Sequence, residues 1–571
     1  MLIIKFLSLL DKKQKIILFF ITLLSFVAML LETFSIALLL PLIDTIVNGN
    51  LNYNNIFFNY FIIETSKYFN ISILFIISIL ILLLFIAKSI FLVFFYFQQS
   101  KFASNILIMQ SKKFYNLYIN QSWSFHTNNN SSVFIRNLMN EIGSLMVFTE
   151  TLIIMIVEIF VFFGLIILLF YLNFIASLVA FSFLFLISGS YYFITKDYIN
   201  KLGERRVKND FFRLKSLNET FRGMKEIKIF GKEEFFLNSY DKYNSIVAKT
   251  RQINKIFSYL PRILIELSLV IFIVNIILIA TTYYDFDLKK SIPLITIFFA
   301  SLLRIYPSIV RILNSLQVIK YNYKSVNILY KDFVNLKKYK PDINLHKKKS
   351  FYSINFKSVS FRYSEKSEYV FKDINLKIEK NSCLALIGES GGGKTTFIDL
   401  LLGLLEPSSG SIIIDEKKEK NLESSWKLNF GYVPQDVILL DSDIKNNIAF
   451  GYKNNTIDED RIMEVLRMVD LDKFVLSLEN GINTLIGENG SKISGGQKQR
   501  LGIARALYNN PEILIFDEST SALDNETENN ILNTIKQLKV SKTIILISHN
   551  MNVVSICDKI YKINNKNINL I

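Results

Sequence analysis

Phe160 to Thr195 runs without one charged side chain. As a single helix it would be about 54 Å long, against about 30 Å of bilayer hydrocarbon, so one crossing cannot hold it. Two spans joined by a tight turn near Tyr171-Leu172-Asn173 fit, the first starting earlier, around Leu145. Other apolar stretches repeat the pattern. Ile16 to Ile43 is interrupted only by Glu32, and Ile71 to Gln98 only by Lys88. Ile263 to Tyr284 and Ile292 to Leu313 supply a fifth and a sixth span. The chain is 51% hydrophobic, with a mean hydropathy of +0.32, above an ordinary soluble domain. The apolar excess stops near Asn314, and the remainder reads as a soluble α/β domain.

The net charge of +16 does not point to nucleic acid. The lysines gather in loops between spans, the pattern of cytoplasmic loops, on top of a general Lys/Asn/Ile bias. Two cysteines, Cys383 and Cys557, make a disulfide framework a poor reading. Lys5, Lys12, Lys13 and Lys15 precede a span too long for a cleaved signal, so the first span is expected to insert with the N-terminus inside. The segment Asn48 to Asn70 is Asn-rich and aromatic. It suits either a short amphipathic helix on the outer leaflet or a loop packed on the spans. Lys101 to Gly143 and Lys196 to Arg262 are long, charged and helix-compatible, with turning points expected at Phe114 to Phe125 and Phe221 to Phe230. Tyr321 to Ser350, rich in lysine, reads as a solvated linker. The expected domains are 1–320, a helical membrane domain of six spans; 321–350, the linker; and 351–571, an α/β nucleotide-binding domain.

Gly388-Glu389-Ser390-Gly391-Gly392-Gly393-Lys394-Thr395 matches the phosphate-loop pattern G-x-x-x-x-G-K-[ST]. It follows an apolar strand, Cys383 to Ile387, and opens a helix at Thr396. A glycine loop alone is an ordinary turn; in this context its N–H groups and the helix N-terminus suit phosphate. Lys394 should reach the β- and γ-phosphates of ATP, and the Thr395 hydroxyl should ligate Mg²⁺. Ile513 to Phe516 is a buried-strand run ending in Asp517, a second Mg²⁺ ligand, with Glu518 next to it.

Between these two stands Ile493-Ser494-Gly495-Gly496-Gln497. With that element the chain resembles the ATP-binding cassette (ABC) family, exporter type. The resemblance covers about Phe356 to the end. It implies that Glu518 polarises the attacking water, that Gln435 in Tyr432-Val433-Pro434-Gln435 contacts Mg²⁺ and water, and that His549 contacts the γ-phosphate. It also implies that Tyr363 stacks on adenine, that Ser521 to Asp524 crosses a dimer interface, and that Thr484 to Gly490 contacts the coupling helices formed by the two turning points. Ser494, Gly495, Gly496 and Gln497 would close the ATP site of a second subunit. A homodimer would then have two competent sites.

Charges within spans are costly, about +2.5 to +3.5 kcal/mol for Arg or Lys at a span centre, so they normally face protein or a water path. Lys88, Arg262, Arg304 and Arg311 are the cations, the last two on one helical face. Glu32, Glu158 and Glu266 are the available counter-charges. Buried ion pairs that fix helix packing, or snorkelling arginines, explain them as well as an anionic cargo does. Leu31-Glu32-Thr33-Phe34, Pro261-Arg262-Ile263 and Leu303-Arg304 to Pro307-Ser308 and Arg311 resemble the lipid-linked oligosaccharide flippases (PglK-like). That resemblance implies that Lys88, Arg262, Arg304 and Arg311 handle a lipid pyrophosphate in an inner bacterial membrane. An exporter of peptide, drug or lipid A-like lipid is the alternative.

Overall fold

The computed structural model describes residues 2–48, 56–69, 71–172, 174–283, 288–337, 339, 351–389, 391–415, 417–418, 426–518, 525–548, 550–564 and 566–571. The chain divides into two compact units. One is Met1–Gln121 with Asn128–Lys340, the other Ser122–Thr127 with Pro341–Ile571.

The helices of the first part are α1 (Leu2–Leu9), α2 (Lys12–Ala37), α3 (Leu39–Asn48), α4 (Ile56–Phe69), α5 (Ile73–Ile119), α6 (Trp123–Asn128) and α7 (Ser131–Arg136). There follow α8 (Ile142–Leu172), α9 (Phe174–Arg222), α10 (Met224–Phe230), α11 (Glu233–Tyr283), α12 (Leu288–Tyr321) and α13 (Tyr323–Leu336). A π-helical turn, Asn137–Glu141, joins α7 to α8. Among the described residues four stretches are long and apolar enough to cross a membrane: Lys12–Ile43, Ile73–Ile119, Ser131–Tyr171 and Ser177–Arg222. α11 and α12 run where the fifth and sixth spans are expected, but side chains 276–303 lie outside the description.

The lengths follow from composition. α5, α9 and α11 have 47, 49 and 51 residues, or about 70 Å or more each, roughly twice the hydrocarbon thickness. The apolar halves of α5 and α9 meet the membrane requirement and their charged halves continue beyond it. The helices approach closely at small residues. A side chain on Gly203 of α9 would put its Cβ 2.1 Å from the Tyr321 carbonyl oxygen of α12, and one on Gly164 of α8 would meet Thr33 Oγ1 at 2.5 Å. The turn after α8 is closed by Ser177 Oγ, which donates to the Leu169 carbonyl at 2.8 Å.

One expectation changes here, and one helix is added. The first half of the stretch read as a solvated linker is α13, which buries Val326 and Leu329. Its apolar residues recur at helical spacing, and the lysines between them hid the pattern. Asn327 of α13 accepts from Lys5 at 2.6 Å, anchoring α1, a helix the sequence reading did not place. The first turning point falls at the end of the range Phe114 to Phe125: α5 runs on to Ile119, and the short turning helix α6 begins at Trp123. The second agrees, with α10 ended by Gly231 in the left-handed conformation at φ +59°.

The second unit holds two sheets. Strands β1 (Ser353–Phe361), β2 (Phe371–Glu379), β4 (Ser409–Ile414) and β5 (Lys417–Lys418) form an antiparallel sheet in the order β2-β1-β4-β5. Strands β3 (Cys383–Gly388), β6 (Phe430–Val433), β7 (Ile513–Asp517), β8 (Thr543–Ile547), β9 (Lys559–Asn564) and β10 (Asn567–Leu570) form the other, ordered β10-β9-β3-β8-β7-β6. All pairs in it are parallel except β9 with β10. β7 and β8 are buried along their whole length, as parallel strands covered on both faces must be. The helices that pack on these sheets are α14 (Lys394–Leu401), α15 (Ile444–Ile448), α16 (Glu459–Met468), α17 (Asp472–Ser477), α18 (Gly495–Tyr508), α19 (Asn525–Lys539) and α20 (Met551–Val554). Register places the ends of β3 and β7 on either side of β8, so both motifs open on one edge.

Candidate functional site

The phosphate loop is held by backbone geometry. Gly391 and Gly393 take φ of +81° and +102°, and a Cβ on Gly393 would lie 2.9 Å from both Phe371 Cζ and Val370 Cγ1. Only glycine lets the chain turn there and start α14 at once. The turn buries Lys394 and leaves Thr395 exposed next to it. Lys394 Nζ donates to the Gly388 carbonyl at 2.9 Å and pairs with Glu518 Oε1 at 3.3 Å. Thr396 Oγ1 shares a hydrogen bond of 2.9 Å with Tyr363 OH. The Tyr363 side chain is otherwise exposed, standing edge-on to Phe361.

Across β8, Asp517 and Glu518 end β7. Glu518 stands in the left-handed region at φ +47°, with its N–H donating to the Ile547 carbonyl at 3.0 Å. This unusual backbone turns two successive carboxylates toward one edge. Gln435 Nε2 donates to Glu518 Oε2 at 3.2 Å, and Tyr432 OH donates to Asp517 Oδ2 at 3.1 Å. Burial holds the Asp517 carboxyl above the ordinary 3.8; the Glu518 charge adds to this, while Tyr432 and Lys394 oppose it. Burial and the neighbouring Asp517 charge push the Tyr432 hydroxyl up as well. One ammonium, two carboxylates, an amide and an exposed hydroxyl thus converge on a helix N-terminus. That donor set fits a nucleotide triphosphate with Mg²⁺, the metal falling to Thr395, Gln435 and Asp517.

The element 494–497 caps α18. Ser494 Oγ accepts from Gln497 N at 3.3 Å, and Gln497 Oε1 accepts from Ser494 N at 2.9 Å, a reciprocal cap. Ser494 and Gly495 are exposed, and the space beside Gly495 is open. The helix behind is fixed by Arg505, which donates to Asn447 O and Ile438 O at 2.8 Å each, and by Gly502 packed on Val437. Ser122–Thr127 groups with this unit, and Trp123 of α6 hydrogen-bonds the side chain of Asp399. Burial raises the Asp399 carboxyl, that bond lowers it, and the Asp517 charge raises it further.

In the membrane unit, charged side chains from four helices meet. Lys88 of α5 pairs with Glu32 Oε2 of α2 at 2.9 Å and lies 3.5 Å from Ser35 Oγ. Arg304 of α12 donates to the other Glu32 oxygen and stands 4.0 Å from Glu158 Oε2 of α8. Arg311 donates to Glu158 Oε1. Both carboxylates are buried, at 5% and 3% exposure. Arg262 does not join them. Its side chain is exposed, and its carbonyl accepts from Tyr306 OH, which also reaches Glu266 at 3.4 Å.

Comparison with known proteins decides the family. The description "ABC transporter" matches residues 371–521, and "ABC transporter transmembrane region" matches residues 18–306, just over half of the chain. The chain belongs to the ABC transporter family. Among curated relatives, proteins of Staphylococcus aureus strains NCTC 8325 and Mu50, provisionally named multidrug export ATP-binding/permease proteins, are 41% identical over 216 residues. That stretch spans 38% of this chain and 37% of theirs, so the match covers well under half of each relative. A solved bacterial Atm1-family ABC exporter with ATP bound has the same fold, with a TM-score of 0.76 at 21% identity over 98% of this chain and 94% of that one.

The transporter is an integral membrane protein, and the nucleotide-binding domain of its family uses ATP with Mg²⁺. Its structure brings Lys394, Gln435, Asp517 and Glu518 together, pairs Thr396 with Tyr363, and brings Lys88, Arg304 and Arg311 into another set. Ser390, His549 and the segment 521–524 with Asp524 lie outside the described residues. Tyr432 and the Trp123–Asp399 pair were not found from sequence. Tyr432 carried a signal: on β6 it alternates with the buried Gly431 and Val433, so its side chain is turned away from theirs.

Proposed function

We propose that this ABC transporter is a half-transporter of a bacterial inner membrane, working as a homodimer with its N-terminus and ATPase domain in the cytoplasm. Its proposed cargo is a polyprenyl-pyrophosphate-linked oligosaccharide, or a similar anionic glycolipid, flipped to the outer leaflet. The observation that carries the cargo reading is the charge cluster. Lys88, Arg304 and Arg311 outnumber Glu32 and Glu158, which leaves one net positive charge among otherwise apolar helices. Helix packing alone is served by balanced pairs. An excess cation inside a bundle marks a path for an anion, and a guanidinium fork suits phosphate oxygens.

The ATPase half would drive the movement. Lys394 neutralises charge on the transferring phosphoryl group, and the N–H groups of the glycine loop hold the phosphate oxygens. Thr395, Gln435 and Asp517 would hold Mg²⁺, which would supply further positive charge for the phosphate oxygens. Glu518, oriented by Gln435, accepts a proton from the attacking water. His549 and Asp524 are proposed to complete the γ-phosphate contact and the dimer face. The open N-terminus of α18, with Ser494, Gly495, Gly496 and Gln497, closes the site of the second copy. α6 and α10 pass the closure to the spans.

The second reading is export of a drug, peptide or lipid A-like lipid, in which the arginines are dispensable; the relatives' names, multidrug export ATP-binding/permease protein, favour the drug. Mg-ATPase rates in lipid nanodiscs separate the two. A polyprenyl-diphosphate-linked disaccharide should stimulate the wild type, and Arg304→Ala/Arg311→Ala should lose that increment, with Glu518→Gln as the blank. Equal stimulation of both proteins, or none, overturns the glycolipid reading.

A further inference from the structure

The charge cluster has an asymmetry that the cargo reading does not use. In the two arginine pairs the carboxylate is hidden and the cation is more accessible. The side chains of Glu32 and Glu158 are 7% and 4% exposed, whereas those of Arg304 and Arg311 are 24% and 47% exposed. An anion approaching from the open side meets guanidinium first. Glu158 is also under-used. Its Oε1 takes Arg311, but its buried Oε2 has no hydrogen-bond partner among the described residues, and Arg304 lies 4.0 Å away. Glu32, by contrast, has both oxygens engaged, one by Lys88 and one by Arg304. Arg304 thus sits between a saturated carboxylate and an unsaturated one.

We infer that Glu158 is a resident counter-ion that the cargo phosphate displaces: it holds Arg311, and through proximity Arg304, until an anionic headgroup takes the two guanidinium groups over. This rests on the glycolipid reading of the cluster. It assigns Glu158 a specificity role. A diphosphate offers enough oxygens to replace the carboxylate at both arginines, whereas a monophosphate or a zwitterion competes with Glu158 less well. The carboxylate keeps the arginines compensated while no cargo is bound, which an apolar surrounding demands. It also sets a threshold that weakly anionic lipids do not pass. Glu32 plays the static part, since displacing it would strand two oxygens and free two cations together.

The test measures half-saturation of lipid-stimulated ATPase in nanodiscs, each protein normalised to its own rate without lipid. The probes are a polyprenyl-diphosphate-linked disaccharide and the matching monophosphate. In Glu158→Gln the half-saturating concentration of the diphosphate should fall about tenfold, the scale of one competing charge-assisted hydrogen bond. The preference for diphosphate over monophosphate should narrow. Glu158→Gln should shift half-saturation less in an Arg311→Gln background than in the wild type, because most of its effect acts through that arginine. Should Glu158→Gln fail to fold, Glu158→Asp, which keeps the charge but shortens the reach, should move half-saturation in the same direction by a smaller factor. Wild-type stimulation with an unchanged or raised half-saturation in both Glu158 variants overturns the counter-ion role and leaves the cargo reading standing. A wild type that does not respond to the diphosphate overturns the cargo reading and the counter-ion role with it.

Discussion

Lysine and glutamate stand in both charged sites of this transporter, joined by Asp517 in one and by two arginines in the other, but to opposite ends. In the ATPase unit the charges converge on an edge of the sheet, and backbone geometry commits them there. Lys394 and Glu518 sit on either side of β8, the first launched by left-handed glycines and the second itself at φ +47°. In the membrane unit the charges converge on one another. Glu32 and Glu158 are closed in by Lys88, Arg304 and Arg311, each presented by an ordinary helix. One site is strained and awaits a ligand; the other has both its carboxylates paired without one and keeps a single cation in excess. Mutations should therefore hurt chemistry in the first and stability in the second.

The largest expected effect tests the first half of that contrast. Glu518→Gln keeps the hydrogen bond to Gln435 but removes the proton acceptor. ATP turnover should fall by about two to four orders of magnitude, the usual weight of a positioned general base. Thermal unfolding of the purified protein should shift little. A variant that hydrolyses ATP at near the wild-type rate would remove Glu518 from the reaction.

Glu32→Ala probes the other half. It strands Lys88 and Arg304 in apolar surroundings, and breaking a buried pair on one side costs about 3–5 kcal/mol. The nanodisc-embedded protein should lose thermal stability, and Glu32→Gln should lose less, because the amide still accepts from Lys88 and Arg304. An unchanged melting temperature in both would show that the cluster is solvated in the membrane. A smaller packing effect comes from Gly203→Ala. Its Cβ would sit 2.1 Å from the Tyr321 carbonyl oxygen, so α9 and α12 must separate, at about 1–3 kcal/mol. Melting temperature reads this too, and an unchanged value would show that the two helices are not locked at that point.

How much was legible differs in the same way between the two regions. Gly388 to Thr396, Asp517 and Glu518 could be read directly because each lies at a strand end, where contiguous residues meet the ligand. Tyr432 was missed because its partner Asp517 is 85 residues away and joined only through the pairing of β6 with β7. In the membrane half the candidates could be named but not paired. Glu32, Glu158 and Glu266 were equal choices in sequence, since helix rotation and depth decide which carboxylate meets which cation. The structure selects the first two and leaves Arg262 apart. α1 and α13 escaped for another reason: their apolar faces are short, and Lys-rich neighbours mask helical spacing that only packing makes evident.

The smallest effect sharpens the contrast from inside the ATPase site. Burial and the Glu518 charge hold the Asp517 carboxyl above its ordinary 3.8, so the folded protein binds that proton more tightly than the unfolded chain does. Stability then falls as pH rises from the unfolded value through the raised folded one, and the loss is fully present at neutral pH. Asp517→Asn removes the charge and keeps an oxygen to accept from Tyr432. The nucleotide-free variant should melt above the wild type at pH 7. The gap should close on acidification, as the wild-type carboxyl takes up its proton. ATPase activity should be lost at every pH, because a Mg²⁺ ligand is gone. A lower melting temperature at pH 7 would mean that Asp517 contributes net stability through Tyr432 and Lys394. The ATPase site would then resemble the membrane cluster, where each carboxylate is held by cations at rest.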